Sequence, residues 1–216
     1  MDPSAGPDAH PAALEALVGA VGDEERRLLV PAIATLRTWL QRLTEWNRRI
    51  DLTAARTAAE LVDLMVKDAL VLATQFASGA SVVDAGTGAG APGLALAFLR
   101  PDLSVNLVEP LGKRVTFLRA VIGETGRTDI FVHPSRIEKV QGTFDGAVSR
   151  ATLAPTAWLA ESVRLVRPGG EAWVLLARED PPGPPNGLSH GRGIEYAWPL
   201  TGRVRCAVAY RRVADP

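Results

Sequence analysis

The densest chemistry in the chain lies in Val82-Val83-Asp84-Ala85-Gly86-Thr87-Gly88-Ala89-Gly90-Ala91-Pro92-Gly93. An apolar β-branched run leads into an acid, a glycine-rich turn and a proline suited to the first turn of a helix. Glycines let the backbone approach a ligand closely, and a helix start offers unpaired N–H groups to an anion. Gly88-x-Gly90-x-x-Gly93 matches the dinucleotide fingerprint, a weak signal when alone. Two acids sharpen it. Asp84 stands two residues before the first glycine, and Glu109 closes the next apolar run, 23 residues beyond Gly86. An acid at that strand end is where α/β folds hold a ribose diol. The pattern therefore points to a bound nucleoside-containing cofactor.

Positioning these residues takes a strand–turn–helix unit, and the rest of the chain supplies the same rhythm. After Gly79, β-rich runs at Ser81–Asp84, Val105–Glu109, Ile130–His133, Phe144–Val148 and Glu171–Leu176 alternate with helical patterns. The helices read as Pro92–Leu99, Lys113–Glu124, a short one near Arg136–Val140, and Pro155–Leu165. Such alternation predicts βαβ units, a mostly parallel sheet and helices on both faces. Asp180–Gly193 is Pro/Gly-rich and reads as a loop, and Arg203–Tyr210 alternates as a strand, which predicts an antiparallel hairpin at the sheet edge. Upstream, apolar spacing predicts a helix from Asp23 that Pro31 splits or starts anew, and another over Thr57–Phe76. The expected organisation is a disordered arm over 1–11, a helical extension over 12–78 and an α/β core over 79–216.

Composition narrows the classes. The 24 Lys+Arg balance 24 Asp+Glu, which excludes a tail-driven polyanion binder of the histone kind. A single cysteine, Cys206, excludes an internal disulfide framework and a multi-cysteine zinc site. No apolar run approaches the roughly 20 residues needed to cross a bilayer, and the acidic start lacks the basic and apolar regions of an export signal. The expectation is a cytoplasmic monomer without metal or membrane. The charges divide unevenly: residues 1–78 hold 8 basic and 11 acidic groups, leaving 16 and 13 for the remainder. Between a dinucleotide and S-adenosylmethionine, the single nucleotide-sized half favours the latter. A dehydrogenase would also need an acid/base, and the three histidines are ill placed: His10 in the arm, His133 at a strand end, His190 in the late loop.

From about Leu40 to Leu176 the chain resembles the RsmG/GidB family, bacterial guanine-N7 methyltransferases of small-subunit ribosomal RNA. The resemblance rests on Trp46-Asn47-x-x-Ile50-Asp51-Leu52-Thr53, the Asp84–Gly93 turn, and Leu111-Gly112-Lys113-Arg114-Val115-x-Phe117-Leu118-Arg119. It continues through Ser135-Arg136-Ile137-Glu138 and Ser149-Arg150-Ala151. It implies a class I, Rossmann-like methyltransferase with a three-layer α/β/α sandwich, S-adenosylmethionine as cofactor, and ribosomal RNA or the small subunit as partner. By the same resemblance Asp84, Gly86, Gly88 and Ala91 form the cofactor turn. Glu109 holds the ribose hydroxyls, Ile137 and Glu138 flank the adenine, and Arg150 faces both cofactor and target base as the catalytic residue.

The chain departs from the family on what would be the RNA side of the cleft. Asp51 stands where Asn is usual. An Arg-His pair followed by Asp-Ser falls on Leu64, Met65, Asp68 and Ala69, so only the Asp is kept. The usual Lys-Gly after the fifth strand falls on Ala177 and Arg178. Three readings stay open: a methyltransferase with this substrate, a non-catalytic or retargeted paralogue that binds cofactor or RNA, and an NAD(P) oxidoreductase.

Overall fold

A computed structural model describes residues 9–177 and 179–214. Seven strands form one sheet: β1 (Ser81–Ala85), β2 (Ser104–Val108), β3 (Ile130–His133), β4 (Phe144–Ser149), β5 (Val166–Leu176), β6 (Leu188–Ala197) and β7 (Val204–Arg212). Their order is β3-β2-β1-β4-β5-β7-β6, parallel from β3 to β5 and antiparallel across β7 and β6. Order reverses between β1 and β4, and the crevice beyond the carboxyl ends at such a switch point is where α/β sheets bind ligands.

Alternation along each strand splits the apolar residues between two layers. Val82, Leu107, Val148, Trp173 and Ala209 face one cluster; Val83, Val108, Ala147, Ala172 and Tyr210 face the other. The first face carries α1 (Ala9–Ala20), α2 (Asp23–Asn47), α3 (Ala58–Val62), α4 (Asp68–Ala73), α5 (Gly93–Leu99) and α6 (Gly112–Thr125). The second carries α7 (Pro155–Leu165) and a 3-10 turn, Ile137–Lys139. The upstream helices thus share one core with the sheet. Leu14, Leu36, Trp39, Leu40, Leu70 and Leu72 are each fully buried in it.

The structure departs from the sequence expectations in four places. The expected arm overlaps α1, whose Ala9–Pro11 are helical; His10 is buried there with Nε2 2.7 Å from Thr44 Oγ1, while residues 1–8 lie outside the described ones. α2 runs unbroken through Pro31, because the carbonyl that loses its N–H partner there lies among exposed residues. The Thr57–Phe76 pattern holds a π-turn, Asp63–Lys67, between α3 and α4, and helix ends at Ala73. β6 takes Leu188–Gly193 out of the expected loop.

Candidate active site

Strand register brings the site together. Ala85 pairs with Val108 on one side and with Ser149 on the other, so Gly86, Glu109 and Arg150 are each the first residue past aligned strand ends. Gly86 and Thr87 donate their N–H groups to the Val108 carbonyl at 2.9 and 3.0 Å. Glu109 is almost fully buried: its Oε2 accepts from Gly88 N at 3.0 Å and its Oε1 from Leu111 N at 2.8 Å. Gly86 and Gly88 both have positive φ, +69° and +60°. A methyl group on Gly86 would stand 2.2 Å from Thr152 Cγ2, whereas one on Gly88 would meet nothing nearer than 4.0 Å. Asp84 lies beneath the turn, accepting from Gly93 N at 2.8 Å through Oδ2. Burial pushes its carboxyl up to about 6, against the pull of that N–H.

These groups line or support a cavity of about 570 Å³ walled by Gly86, Gly88, Ala91, Glu109, Leu111 and Arg114, among others. Its remaining wall comes from upstream. Asn47 Oδ1 accepts from Leu52 N and Thr53 N at 2.8 and 3.0 Å, and its Nδ2 donates to the Thr53 carbonyl at 3.1 Å, so Leu52–Ala54 are pinned at the cavity edge. Trp46 packs edge-on to Phe117, and Trp39 Nε1 donates to the Ala89 carbonyl at 3.1 Å, clamping the glycine turn from above. Both tryptophans thus serve packing.

A second cavity, about 550 Å³, adjoins the first across Leu64, Arg150, Ala151 and Thr152, which line both. Ala151 is a non-glycine residue with φ +54°, strain of a kind that gathers at ligand clamps. Arg150 Nη1 donates to the Leu64 carbonyl and, at 3.0 Å, to Asp68 Oδ2. Asp68 is buried, and its Oδ1 accepts from Tyr196 Oη at 2.9 Å and Trp198 Nε1 at 2.8 Å. Five residues earlier, buried Asp63 accepts from Leu200 N, Thr201 N and Thr201 Oγ1. In a regular helix positions five apart diverge in direction; the wider π-turn lets both acids face the β6–β7 connection. Arg205 lies over the Trp198 ring at 4.1 Å and completes this wall.

Comparison with known proteins settles the family. A profile described as GidB, rRNA small subunit methyltransferase G, matches residues 32–180. The chain belongs to this family. The ribosomal RNA small subunit methyltransferase G of Halorhodospira halophila is 37% identical over 154 residues, covering 71% of this chain and 73% of that one. That of Anaeromyxobacter dehalogenans (strain 2CP-C) is 33% identical over 196 residues, covering 84% and 89%. Among solved structures, a SAM-dependent methyltransferase from Aquifex aeolicus matches with TM-score 0.53 at 21% identity over 70% of this chain and 92% of its own. A Burkholderia thailandensis 1,6-didemethyltoxoflavin-N1-methyltransferase, solved with S-adenosylhomocysteine, matches with TM-score 0.53 at 16% identity, covering 90% and 92%. These likenesses show the class I methyltransferase fold.

As a member of this family the chain uses S-adenosylmethionine, and the glycine-turn cavity fits it. Gly88 leaves open room beside the turn, and the carboxylate of Glu109 keeps lone pairs free for hydroxyl donors after its two backbone bonds. Asp84, buried beneath the turn, holds it through its bond from Gly93 N. Of the residues expected at the site, Gly86, Gly88, Ala91, Glu109 and Arg150 line the cavity. Asp84 supports it from below. Ile137 is buried in the second core cluster, with its carbonyl accepting from Arg164 Nη2 at 2.6 Å, and Glu138 is exposed; neither lines the cavity. Leu64 and Met65, onto which the resemblance places an Arg-His pair, are walls of the cofactor cavity, and Leu64 borders the second cavity too. Arg178 lies outside the described residues. Sequence reasoning missed Tyr196, Trp198 and Arg205, which reach the site only through the hairpin. Among the described residues no helix is long and apolar enough to cross a membrane, and no group of three His, Cys, Asp or Glu is placed to hold a metal.

Proposed function

We propose that this protein moves the methyl group of S-adenosylmethionine to N7 of a guanine in small-subunit ribosomal RNA. The observation that carries the reading is the common wall of the two cavities, where Arg150 stands between a cofactor-shaped turn and an aromatic-lined recess. The cofactor supplies a methyl group on a sulfonium, already activated for transfer. Guanine N7 has a lone pair and no proton, so the acceptor needs no general base, and no histidine lines either cavity. What the chain must supply is alignment, which is worth orders of magnitude in rate. Asp68 and the Leu64 carbonyl hold one Arg150 nitrogen, so the guanidinium is fixed in orientation and its remaining donors serve the boundary. Glu109 and the glycine turn would hold the nucleoside part of the cofactor.

The recess behind Arg150 is lined by Pro155, Trp158, Val174, Leu176, Tyr196 and Trp198, surfaces suited to a base drawn out of its helix. In this reading the acting unit is a monomer working in the cytoplasm. Labelled S-adenosylmethionine incubated with small subunits, or their RNA, lacking the modification should give incorporation at a guanine. Tight binding of S-adenosylhomocysteine by calorimetry, without incorporation into either substrate, would favour the non-catalytic paralogue. Arg150→Ala should depress turnover, and unchanged kinetics would remove Arg150 from the mechanism.

A further inference from the structure

A third, smaller cavity of about 250 Å³ lies where α1, the end of α2 and the segment before α3 meet. Its polar lining includes His10, Thr44, Asn47, Arg48, Arg56 and Thr57, and no carboxylate lines it. Thr53 lines both this cavity and the cofactor cavity, so the two are separated by the thickness of one strand of backbone. Arg48 and Arg56 form no ion pair among the described residues.

His10 makes this more than a pair of surface arginines. The residue is 6% exposed, and its Nδ1 is buried with no hydrogen-bond partner. Thr44 Oγ1 stands 2.7 Å from His10 Nε2 and 3.0 Å from the Leu40 carbonyl, so Nε2 has a partner while Nδ1 has none. Neutral His10 with its proton on Nε2 has a bare lone pair at Nδ1, in a cavity whose lining also carries Arg48 and Arg56. An imidazolium would have an N–H there instead. Both arrangements are incomplete until a group with negative oxygens enters: the anion accepts from Arg48 and Arg56, and His10 takes up a proton and donates it through Nδ1.

We infer that this cavity binds a phosphate group of the RNA backbone, gripping the strand next to the nucleotide that enters the active site. The assignment of the phosphate to RNA rests on the methyltransferase reading above; the anion site itself does not. Binding is coupled to protonation. Burial lowers the pKa of free His10, and a bound anion raises it, so affinity grows as pH falls from 8 towards 6. The charged groups that share the cavity's lining with His10 are Arg48 on α2 and Arg56 before α3; the carboxylates of the same elements are engaged or apart. Glu45 is paired with Arg42, Glu60 with Arg203 and the Arg56 N–H, and Glu15 on α1 is exposed.

Two measurements on the full chain test it. Sulfate keeps its charge between pH 6 and 8, so calorimetric titration with sulfate should show binding that strengthens as pH falls, with uptake of a proton seen in buffers of different ionisation heat. His10→Gln retains a donor for Thr44 and should bind sulfate without the pH dependence. Arg48→Ala and Arg56→Ala, both exposed positions, should each raise KM for RNA about tenfold. Each should also flatten the slope of log affinity against log salt by about 0.7–0.9, leaving kcat and S-adenosylhomocysteine affinity unchanged. Absence of sulfate binding at pH 6 overturns the anion site. Sulfate binding combined with unaltered RNA KM and salt slope in both arginine variants overturns the backbone assignment and leaves a site for a free anion. If the wild-type protein methylates no RNA, the methyltransferase reading fails while the sulfate titration still decides the anion site.

Discussion

Asp68→Asn isolates the buried carboxylate that joins the β6–β7 hairpin to Arg150. The amide oxygen can still accept from Tyr196 Oη and Trp198 Nε1, but its NH₂ then faces the Arg150 guanidinium, donor against donor. Breaking a buried ion pair by removing one partner costs about 3–5 kcal/mol. Arg150 retains the Leu64 carbonyl and a side chain 18% exposed, against 3% for Asp68, which brings the expected loss to about 2–3 kcal/mol. At roughly 2–4 °C per kcal/mol for a domain of this size, Tm should fall by about 5–10 °C. Freed from its anchor, Arg150 should lower kcat/KM for RNA by about a hundredfold, with S-adenosylhomocysteine affinity changed far less. The assay is thermal unfolding beside initial rates of methyl incorporation, run as a double-mutant cycle with Arg150→Ala. A coupling energy near 2 kcal/mol is expected, since both changes destroy one contact. Wild-type Tm and rate in Asp68→Asn, or effects that add within about 0.5 kcal/mol, would refute the anchor.

The other predictions concern the cofactor side. Gly86→Ala combines a φ of +69° with a methyl 2.2 Å from Thr152 Cγ2 and should cost S-adenosylhomocysteine affinity about a hundredfold; Gly88→Ala, at φ +60° in open space, carries only a backbone penalty of about 1–2 kcal/mol. Equal affinities for both variants, read by calorimetry, would show that Thr152 yields freely. Asp84 is raised from an ordinary carboxyl value to about 6, so the folded state holds a proton that the unfolded state loses first. Its contribution is fully present below about pH 4 and declines by about 3 kcal/mol as pH rises through 6. Urea unfolding from pH 4.5 to 7.5 should show that decline in the wild type and lack it in Asp84→Asn; parallel profiles would contradict the shift. Asn47→Ala loses the bonds to Leu52 and Thr53 and should cost about 2 kcal/mol and weaken cofactor binding several-fold, whereas Asn47→Asp keeps both acceptor bonds. Identical cofactor affinity in Asn47→Ala would mean that the 52–54 wall stands without its pin.

The cofactor half of the site was legible in the sequence because its grammar is local. Strand, glycine turn and helix start lie within twelve residues, and Glu109 follows one βα unit later. Register did the rest without needing to be known: whichever way the sheet aligned, those residues sit at strand ends. The acceptor half was not legible. Asp68 meets Tyr196 and Trp198 across some 130 positions, and no pattern in either segment marks the other. Apolar spacing over Thr57–Phe76 is satisfied almost equally by a regular helix and by one with a π-turn, so the extra residue that aligns Asp63 with Asp68 leaves no trace. β6 was hidden for a different reason: as an edge strand with one well-buried residue, Leu188, and glycines at 191 and 193, it lacks the apolar alternation that announces a strand. Helix α1 was masked by the proline- and alanine-rich composition around it, although its Leu14 and Leu17 are fully buried.

The hairpin contact also sets an order in time. Asp63 and Asp68 are synthesised more than 120 residues before the groups that satisfy them, Tyr196, Trp198, Leu200 and Thr201. During vectorial synthesis the glycine turn, Glu109 and Arg150 can all be out of the exit tunnel while two buried carboxylates still await their donors. A nascent chain can therefore build the cofactor pocket before Arg150 is locked. Competence to methylate ribosomal RNA arrives only once β6 and β7 have left the ribosome that made them.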